Sequence, residues 1–278
     1  MPIDFYYCFI DPYFNNWEMA KYYDNKCMYQ RMFLGINQPK MFFMRMNNCW
    51  VNNKFEIVHI NNILSSLEDY GNEIVVKQAN DSEGGANIFF VKGENIREKL
   101  LNAFGKINKD LVIQESIKQN KAISKINSTS INTIRILSML TTEGVKIYSC
   151  IIRMGINGNR VDNISQGGIS CGIDDSGRLK KVAYNYRGDK YSEHPSSGVR
   201  FDTVVIPNWG DVLEMVYKAH PMIPHFRLVS WDIAIDFEGK PLLVEANLCY
   251  GELNLHQLNN GPIFGDDTEK VLKDVFNY

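Results

Sequence analysis

The sequence predicts an α+β protein, and two patterns carry this prediction. Residues 73–115 read as a strand, a glycine-containing loop, a strand, an amphipathic helix and a third strand. Residues 131–154 and 228–247 each read as two strands joined by a turn. Paired strands with separate helices are typical of the α+β class.

The first 70 residues are rich in aromatic residues, Met and Asn and show no clear period, so we expect short helices there. The apolar run Met41–Met44 predicts a strand. The apolar residues that follow have helical spacing, at Ile60, Ile63, Leu64 and Leu67. This stretch is expected to be a mostly helical N-terminal region.

The middle of the chain has clearer periodicity. Strands are predicted at Ile74–Lys77, Asn87–Val91 and Leu111–Ile113. The helix between the last two strands places Ile96, Leu100 and Phe104 on one face.

The remaining elements are predicted from similar patterns. Strands are expected at 131–140, 145–154, 228–237 and 241–247, and helices at 208–219 and about 267–276. Residues 155–200 are rich in Gly, Asn, Asp and Ser and are predicted as long loops, which in a compact domain are usually functional.

The composition is that of an ordinary globular protein. Of the 278 residues, 45% are hydrophobic and 12% are aromatic, and 30 basic and 32 acidic side chains give a net charge of −2. This balance lacks the basic footprint of a nucleic-acid-binding protein, so no nucleic-acid partner is expected.

The N-terminus and the cysteines indicate a cytoplasmic location. The first 20 residues lack a basic segment followed by an apolar segment, so no signal peptide is expected, and no apolar run reaches the roughly 20 residues of a membrane span. The cysteines form no C-x-x-C pair and are typical of reduced, packed thiols, at Cys8, Cys27, Cys49, Cys150, Cys171 and Cys249.

The C-terminal strand pair carries the clearest chemistry. If Glu238 and Gly239 form a two-residue loop, Asp232 lies directly opposite Glu245, and Asn247 follows one pleat further on the same face. Like charges at directly opposed positions are destabilising unless a cation lies between them. Two carboxylates and a carboxamide are hard oxygen ligands that suit Mg²⁺ with substrate phosphates. The alternative is a solvated edge where both carboxylates face water.

Three features of the preceding strands suit a nucleotide. Lys77 ends a strand before a loop whose Gly84 and Gly85 allow backbone N–H groups to approach phosphate, although an ordinary hairpin with a surface lysine is the alternative. The strand end at Gln114–Glu115 is of the kind that gives backbone hydrogen bonds to adenine. Arg135 lies in an apolar strand and needs an anionic partner, which is either a carboxylate or a ligand phosphate.

In their order and spacing these segments resemble ATP-grasp enzymes. The closer resemblance is to the sugar-transfer-associated ATP-grasp family found with bacterial surface-polysaccharide genes, over roughly residues 20–275. The segments that carry it are Lys77, Asp81–Gly85, Val112–Glu115, Asn132–Arg135, Trp231–Asp232 and Val244–Asn247.

The resemblance implies an ATP-grasp fold with two α+β lobes and ATP between them. It implies an N-terminal region at 1–70, a small lobe at 71–120 and a large lobe at 121–278 that holds the metal and acceptor sites. Oligomeric state is not implied.

The resemblance also implies a role for each matching residue, with ATP and Mg²⁺ as cofactors. The residues implied for ATP are Lys77 at the α and β phosphates, Ser82, Gly84 and Gly85 over the phosphates, Gln114, Glu115, Ser116 and Ile117 at adenine, and Gln119 near the ribose. For catalysis the resemblance implies Lys77 and Arg135, with Arg135 at the transferred phosphate. For Mg²⁺ it implies Asp232, Glu245 and Asn247.

Two further assignments stay open within the resemblance. ATP-grasp enzymes have a second basic residue before the strand lysine, and here Lys40 and Arg45 both qualify. Candidate substrate contacts are Arg153, Asp162, Asn163, His194, Glu252 and His256.

The reaction implied is that of an ATP-dependent carboxylate–amine ligase acting through an acyl phosphate. The substrates would be a small carboxylic acid and an amine, such as a uronic acid or an amino acid, in surface-polysaccharide synthesis. The alternatives are a kinase that phosphorylates a sugar hydroxyl and a non-enzymatic nucleotide-binding module.

Overall fold

The structure is a computed structural model, and it describes residues 1–80, 87–160 and 167–276. The chain divides into two compact units, a small unit of residues 21–34 and 38–117 and a large unit of residues 1–20, 35–37 and 118–278. Residues 1–70 contribute to both units, and the functional bounds at 1–70, 71–120 and 121–278 stay a prediction.

The described α-helices are α1 (Ile3–Phe5), α2 (Asp11–Phe14), α3 (Trp17–Tyr23), α4 (Tyr29–Met32), α5 (Ile60–Glu68), α6 (Ile96–Lys106), α7 (Lys121–Ser124), α8 (Trp209–Ala219), α9 (Asn254–Asn260) and α10 (Thr268–Phe276). A π-helical segment, Tyr6–Ile10, joins α1 to α2.

The described strands are β1 (Met41–Met46), β2 (Cys49–Asn52), β3 (Ile74–Gln78), β4 (Ile88–Val91), β5 (Leu111–Glu115), β6 (Thr133–Thr141), β7 (Gly144–Met154), β8 (Ile169–Ile173), β9 (Leu179–Asn185), β10 (Lys190–Tyr191), β11 (Leu228–Ile235) and β12 (Pro241–Asn247).

The small unit is built on a five-stranded antiparallel sheet in the order β2-β1-β5-β3-β4. The apolar faces of α5 and α6 bury one side of this sheet, with Leu67 and Leu100 packed into the same cluster as Ile74, Val76 and Ile113. The alternation of these strand residues leaves Lys77 on the opposite face.

The large unit is built on a seven-stranded antiparallel sheet in the order β10-β9-β8-β7-β6-β11-β12. Every residue of β11 is buried, and β6 and β12 flank its two edges. Side chains of the N-terminal helical segment and of α10 pack with residues of β6 and β11, and this cluster includes Tyr6, Ile10, Leu137, Leu228 and Val271.

The predicted α+β class is confirmed, and so are the strand pairs and helices on which it depended. The prediction of long loops over 155–200 is wrong, because β8, β9 and β10 lie there. Gly172 contributed to that loop prediction, yet it lies inside β8, where an added Cβ would come within 2.6 Å of Asn260 Oδ1. The glycine permits close packing within a strand and does not mark a turn.

The C-terminal hairpin has the predicted pairing, but its loop differs from the prediction. The N–H of Asp236 donates to Lys240 O, which leaves a loop of three residues, 237–239, and not two. A β-bulge follows, in which the adjacent residues Asp232 and Ile233 of β11 lie opposite residues 243–245 of β12. The extra residue in β12 restores the register that the longer loop would have shifted. Asp232 therefore lies opposite Glu245, as predicted, whereas Leu243 lies opposite Ile233 and not on the face of Glu245.

A search of the described residues finds no helix with the length and apolar character that a membrane span requires.

Candidate active site

A row of charged residues crosses three neighbouring strands of the large unit. Asp232 in β11 lies directly opposite Arg135 in β6 and directly opposite Glu245 in β12. Directly opposed residues of antiparallel strands place their side chains on the same face. The row therefore places one positive side chain and two neighbouring carboxylates on one face of the sheet.

Asp232 is held by two arginines. Arg135 forms a bidentate ion pair with it, from Nε to Oδ1 at 2.7 Å and from Nη2 to Oδ2 at 2.7 Å. Arg153 in β7 donates from Nη2 to the same Oδ2 at 2.9 Å. The Asp232 side chain is only 3% exposed, so these charge-assisted bonds replace its hydration.

The ion pairs fix the charge of both partners. Burial alone would raise the pKa of Asp232, but the positive charges of Arg135 and Arg153 outweigh it and hold this pKa at about 2. Burial lowers the pKa of Arg135, and the charge of Asp232 more than offsets this and leaves the pKa above its ordinary value. The carboxylate and the guanidinium both stay charged at neutral pH.

The predicted metal ligands lie together on this surface. Asn247 Nδ2 donates to the backbone oxygen of Ser230 at 3.0 Å and lies 3.5 Å from Asp232 Oδ2, so its carboxamide oxygen is the atom that a cation would use. Among the described contacts, Asp232 Oδ1 accepts one hydrogen bond, from Arg135 Nε. This oxygen therefore retains a lone pair for a cation. With Glu245 opposite Asp232, the oxygen set fits Mg²⁺ that also binds phosphate.

The protein side chains alone do not complete a metal site. Among the residues that the structure describes, no group of three or more His, Cys, Asp and Glu side chains could hold an ion. A cation would thus need oxygens beyond Asp232, Glu245 and Asn247, as Mg²⁺ does when it shares substrate phosphates and waters.

Arg153, a predicted substrate contact, belongs to the same cluster. Besides Asp232 it contacts Thr133 Oγ1, from Nη2 at 2.9 Å and from Nε at 3.2 Å. Its substrate role stays a prediction, and the structure places it beside the metal ligands.

The segment after β12 lies against the charged row. An added Cβ at Gly251 would come within 2.6 Å of Ser230 Oγ, so this segment packs closely on β11. The next residue, Glu252, acts electrostatically on Arg135 and raises its pKa. Asp11 accepts the N–H of Tyr250 at 2.8 Å and so anchors the segment to α2.

His256 in α9 is fully buried against β7. Its Nδ1 lies 2.7 Å from Ser149 Oγ, while its Nε2 has no partner among the described residues. Burial, followed by the charge of Arg135, lowers the pKa of His256 to about 3. The imidazole is therefore neutral at pH 7.

Two predicted ligand contacts are engaged inside the large unit. His194 uses both ring nitrogens, with Nε2 at 2.9 Å from Gly155 O and Nδ1 at 3.3 Å from the N–H of Ser196. Gln119 accepts the N–H of Asn132 at 2.7 Å and donates to Ser130 O at 3.2 Å. These contacts favour structural roles, and the substrate and ribose roles stay predictions.

The predicted ATP contacts of the small unit lie on β3 and at the end of β5. Lys77 pairs with Val112 and Ile88 on the two neighbouring strands. Gln114 is buried in β5.

Two backbone N–H groups of the predicted adenine segment are already hydrogen-bonded within the small unit. The N–H of Glu115 donates to Lys40 O at 2.9 Å and that of Ser116 to Glu73 O at 3.2 Å. Ile117, the predicted adenine contact after Glu115 and Ser116, is the last residue of the small unit.

The two candidates for the upstream basic residue have different surroundings in the small unit. Arg45 donates to Phe104 O at 3.2 Å and to Lys109 O at 2.8 Å, so it binds carbonyls at the end of α6. Lys40 is exposed and adjoins the adenine segment through the bond between its carbonyl and Glu115. This favours Lys40 as the ATP contact.

Five predicted site residues lie outside the described residues. They are Ser82, Gly84 and Gly85 in the phosphate loop, and Asp162 and Asn163 among the substrate contacts.

Sequence reasoning missed two serines that border the cluster. Ser149 lies on the same face of β7 as Arg153, and Ser230 lies two residues before Asp232 in β11. Polar residues at even spacing in apolar strands were the available signal. The contact of Ser149 with α9 could not be predicted, because this helix was not predicted.

Comparison with known sequences and structures defines the class of protein. The sequence matches the profile described as "Sugar-transfer associated ATP-grasp" over residues 9–273. The chain therefore belongs to this ATP-grasp family. A search of curated protein sequences gives no match.

Solved structures share the fold at low sequence identity. An L-amino acid ligase from Bacillus licheniformis superposes with a TM-score of 0.52 and 14% identity, over 91% of this chain and 47% of that chain. The ATP-grasp ligase PsnB, complexed with a minimal precursor, gives 0.53 and 11%, over 94% and 64%.

A third similar structure carries a nucleotide in its description. It is the biotin carboxylase domain of the Hydrogenobacter thermophilus 2-oxoglutarate carboxylase in complex with MgADP, ADP and bicarbonate, with a TM-score of 0.52 and 10% identity over 88% of this chain and 43% of that chain. The chain thus spans about half to two thirds of the length of these structures. The likeness establishes the ATP-grasp fold.

Proposed function

We propose that the protein is an ATP- and Mg²⁺-dependent ligase that joins a small carboxylic acid to an amine. The observation that carries this proposal is the position of Asp232 between Arg135 and Glu245 on the large-unit sheet of an ATP-grasp chain. Two of the similar structures are described as ligases, and a third as a complex with MgADP.

The chemistry follows from charge and position. Mg²⁺–ATP supplies an activated phosphoryl group, and Asp232, Glu245 and Asn247 would hold the metal. A carboxylate oxygen of the acid attacks the γ-phosphorus and ADP leaves, giving an acyl phosphate. The amine nitrogen then attacks the acyl carbon, phosphate leaves and the nitrogen loses a proton. Both steps depend mainly on orientation and on the neutralisation of negative charge.

The arginines supply that neutralisation in the large unit. Arg135 is fixed by Asp232 in a bidentate geometry and would face the transferred phosphoryl group, and Arg153 shares the same carboxylate oxygen. Both are almost buried, at 9% and 13% side-chain exposure, where a positive charge acts more strongly than in water.

In the small unit we assign the nucleotide to Lys40, Lys77 and the end of β5. Lys40 adjoins the adenine segment, and Lys77 would reach the phosphates. The loop with Ser82, Gly84 and Gly85 would cover them, as the family resemblance implies.

The substrates and the setting are also proposals. We assign the acid and the amine to the uronic acid or amino acid classes and the reaction to surface-polysaccharide synthesis, because the family is described by its association with sugar transfer. Dependence on ATP and the reduced cysteines favour the cytoplasm.

The test is a screen of uronic acids and amino acids with amines, which measures phosphate release from ATP in wild type and in Glu245→Gln. We expect phosphate release to require the acid, the amine and Mg²⁺ together, with a product heavier than either substrate. Glu245→Gln keeps the size of the side chain but removes a charge, so turnover should fall by about 100-fold.

Two outcomes would contradict the ligase. A stable phosphorylated sugar formed without an amine would identify a kinase. ATP binding without turnover by any pair in the screen would favour a non-enzymatic nucleotide-binding module.

A further inference from the structure

A buried polar layer lies between α9 and the sheet of the large unit. His256, Asn259 and Asn260 share one helix face, because residues three and four apart are neighbours on a helix. Asn259 Nδ2 donates to Ser170 Oγ in β8 at 2.8 Å, and Asn260 Nδ2 donates to Ser149 Oγ in β7 at 2.7 Å. These bonds fix the helix face against two strands.

The hydrogen bonds of Ser149 determine where the ring proton of His256 lies. Ser149 Oγ accepts from Asn260, and among its described contacts His256 Nδ1 is the acceptor for its hydroxyl proton. Nδ1 therefore accepts, and the neutral ring carries its proton on Nε2. This N–H has no acceptor among the described residues, although His256 is fully buried.

An unpaired N–H in a buried position costs folding free energy unless a ligand or a water supplies an acceptor. Ser149, which contacts His256, pairs with Leu137 in β6, and Leu137 pairs with Ser230 in β11. Leu137 lies two residues from Arg135 and Ser230 two residues from Asp232, so His256 lies over the sheet face that carries the charged row. The charges of Arg135, Asp232 and Arg153 act on its ring.

We propose that the Nε2–H of His256 binds the carboxylate of the substrate acid, together with the guanidinium groups of Arg135 and Arg153. This inference rests on the proposed ligase function, in which a carboxylate must lie beside the metal and the phosphoryl group. A carboxylate oxygen supplies the acceptor that Nε2–H lacks, and the guanidinium groups supply the positive charge.

The neutral state of His256 suits this role. A neutral imidazole donates one hydrogen bond and orients the carboxylate, but it does not protonate the oxygen that must attack phosphorus. Ser149 and Asn260 act as positioning residues, because they hold the ring in the tautomer that donates from Nε2.

The first test does not depend on turnover. Histidine ring ¹⁵N signals are recorded for wild type with Mg–ADP, and the His256 signal is assigned by its loss in His256→Asn or His256→Gln. Acetate, the simplest carboxylate, is then added as the probe. His220 is a second buried histidine, whose Nδ1 lies 2.8 Å from Ser138 Oγ, the acceptor of the Trp231 indole N–H. We expect the Nε2-protonated neutral tautomer of His256, and an acetate-dependent shift of its Nε2–H signal that is larger than that of the His220 ring.

The second test uses two matched variants and the acid found in the phosphate-release screen. His256→Asn keeps an acceptor near the Nδ1 position for Ser149 but lacks the Nε2 donor, whereas His256→Gln keeps a donor near the Nε2 position. The KM for the acid should rise about tenfold or more in His256→Asn and less in His256→Gln. His220→Asn, which changes a buried histidine in the Ser138–Trp231 network, should leave this KM unchanged.

Failure of this inference and failure of the ligase proposal are distinguishable. An acetate-dependent shift at His256 without turnover supports the carboxylate site and contradicts the ligase. Turnover with no acetate shift, or with an unchanged KM for the acid in a folded His256→Asn, overturns the assignment to His256. If neither His256 variant folds, the ring signal that shifts most in Ser149→Ala identifies His256, because that variant removes the hydrogen bond to Nδ1, and the acetate shift decides.

Discussion

At the scale of single residues, Asp232 is the anionic partner that Arg135 requires. The sequence indicated that Arg135 needs an anion, either a carboxylate or a phosphate, and the structure pairs it with Asp232. The contribution of Arg153 to the same oxygen was not predicted, because a third strand supplies it. Since two guanidinium groups already neutralise Asp232, we expect Mg²⁺ to need the added charge of ATP to bind there.

Another buried residue, His220, has a purely structural network. Trp231 Nε1 donates to Ser138 Oγ, Ser138 Oγ lies 2.8 Å from His220 Nδ1, and His220 Nε2 lies 2.9 Å from Phe226 O. Burial lowers the pKa of His220 from 6.5 to about 4. The folded protein therefore holds this ring neutral where the unfolded chain binds a proton.

This pKa shift predicts a loss of stability in acid. Between pH 6.5 and about 4 the unfolded chain binds the extra proton, so the free energy of unfolding falls as the pH falls through this window. At pH 5 the contribution of His220 should be about 2 kcal/mol smaller than at pH 7. Urea unfolding of wild type and His220→Asn at both pH values measures it.

The difference in stability between wild type and His220→Asn should shrink from pH 7 to pH 5. A difference that does not change with pH would contradict the account. Asp11 changes stability in the opposite direction, because burial raises its pKa to about 6. The comparison between the two proteins cancels its effect, since both retain Asp11.

At the scale of elements, the hairpin β11–β12 shows how far pattern reasoning reaches. The predicted pairing of Asp232 with Glu245 is confirmed, although the loop has three residues and a bulge restores the register. A loop of three residues without the bulge would have placed Val244 opposite Asp232 and removed the carboxylate pair. Neither the alternation of side chains nor the turn residues reveal this bulge in the sequence.

The segment between β12 and α9 gives a prediction at this scale. Gly251→Ala would place a Cβ 2.6 Å from Ser230 Oγ and 3.2 Å from Ser230 Cβ, so the segment must move. We expect the KM for the acid or the amine to rise about tenfold while Mg–ATP binding persists, because Asp232 and Glu245 keep their strand pairing.

A second substitution tests the cause of that effect. Ser230→Gly removes both atoms that the new Cβ would meet, so the double variant should recover most of the lost KM. Kinetics of the two single variants and the double variant form a double-mutant cycle. Strictly additive effects would contradict the proposed contact.

At the scale of the whole molecule, the sequence predicted the class and most elements because apolar periodicity marks them. It failed at β8, β9 and β10, where glycine and polar residues were taken as loop signals. The sequence patterns also missed α9. This helix packs polar side chains such as His256 and Asn259 against the sheet, so it lacks the apolar stripe by which a helix is recognised.

The candidate site was predicted to a similar extent. The shared face of the three candidate metal ligands on one hairpin could be inferred from alternation, since a strand period of two is regular. Their metal role stays a prediction. The choice of Lys40 over Arg45 needed the structure, because Arg45 binds carbonyls at the end of a helix that is distant in sequence.

The proposed function requires that Glu245 and its neighbours bind Mg²⁺ together with ATP. The most direct measurement is thermal unfolding of wild type, Glu245→Ala and Glu238→Ala with Mg²⁺ alone, ATP alone and both. Glu238 is an exposed carboxylate in the loop of the same hairpin and serves as the matched control.

We expect both ligands together to raise the wild-type Tm by roughly 5 °C at saturation, and Mg²⁺ alone to have no effect. Glu238→Ala should behave as wild type, and Glu245→Ala should lose the Mg²⁺-dependent part of the shift. A full Mg²⁺-dependent shift in Glu245→Ala, or no shift in wild type, would contradict the account.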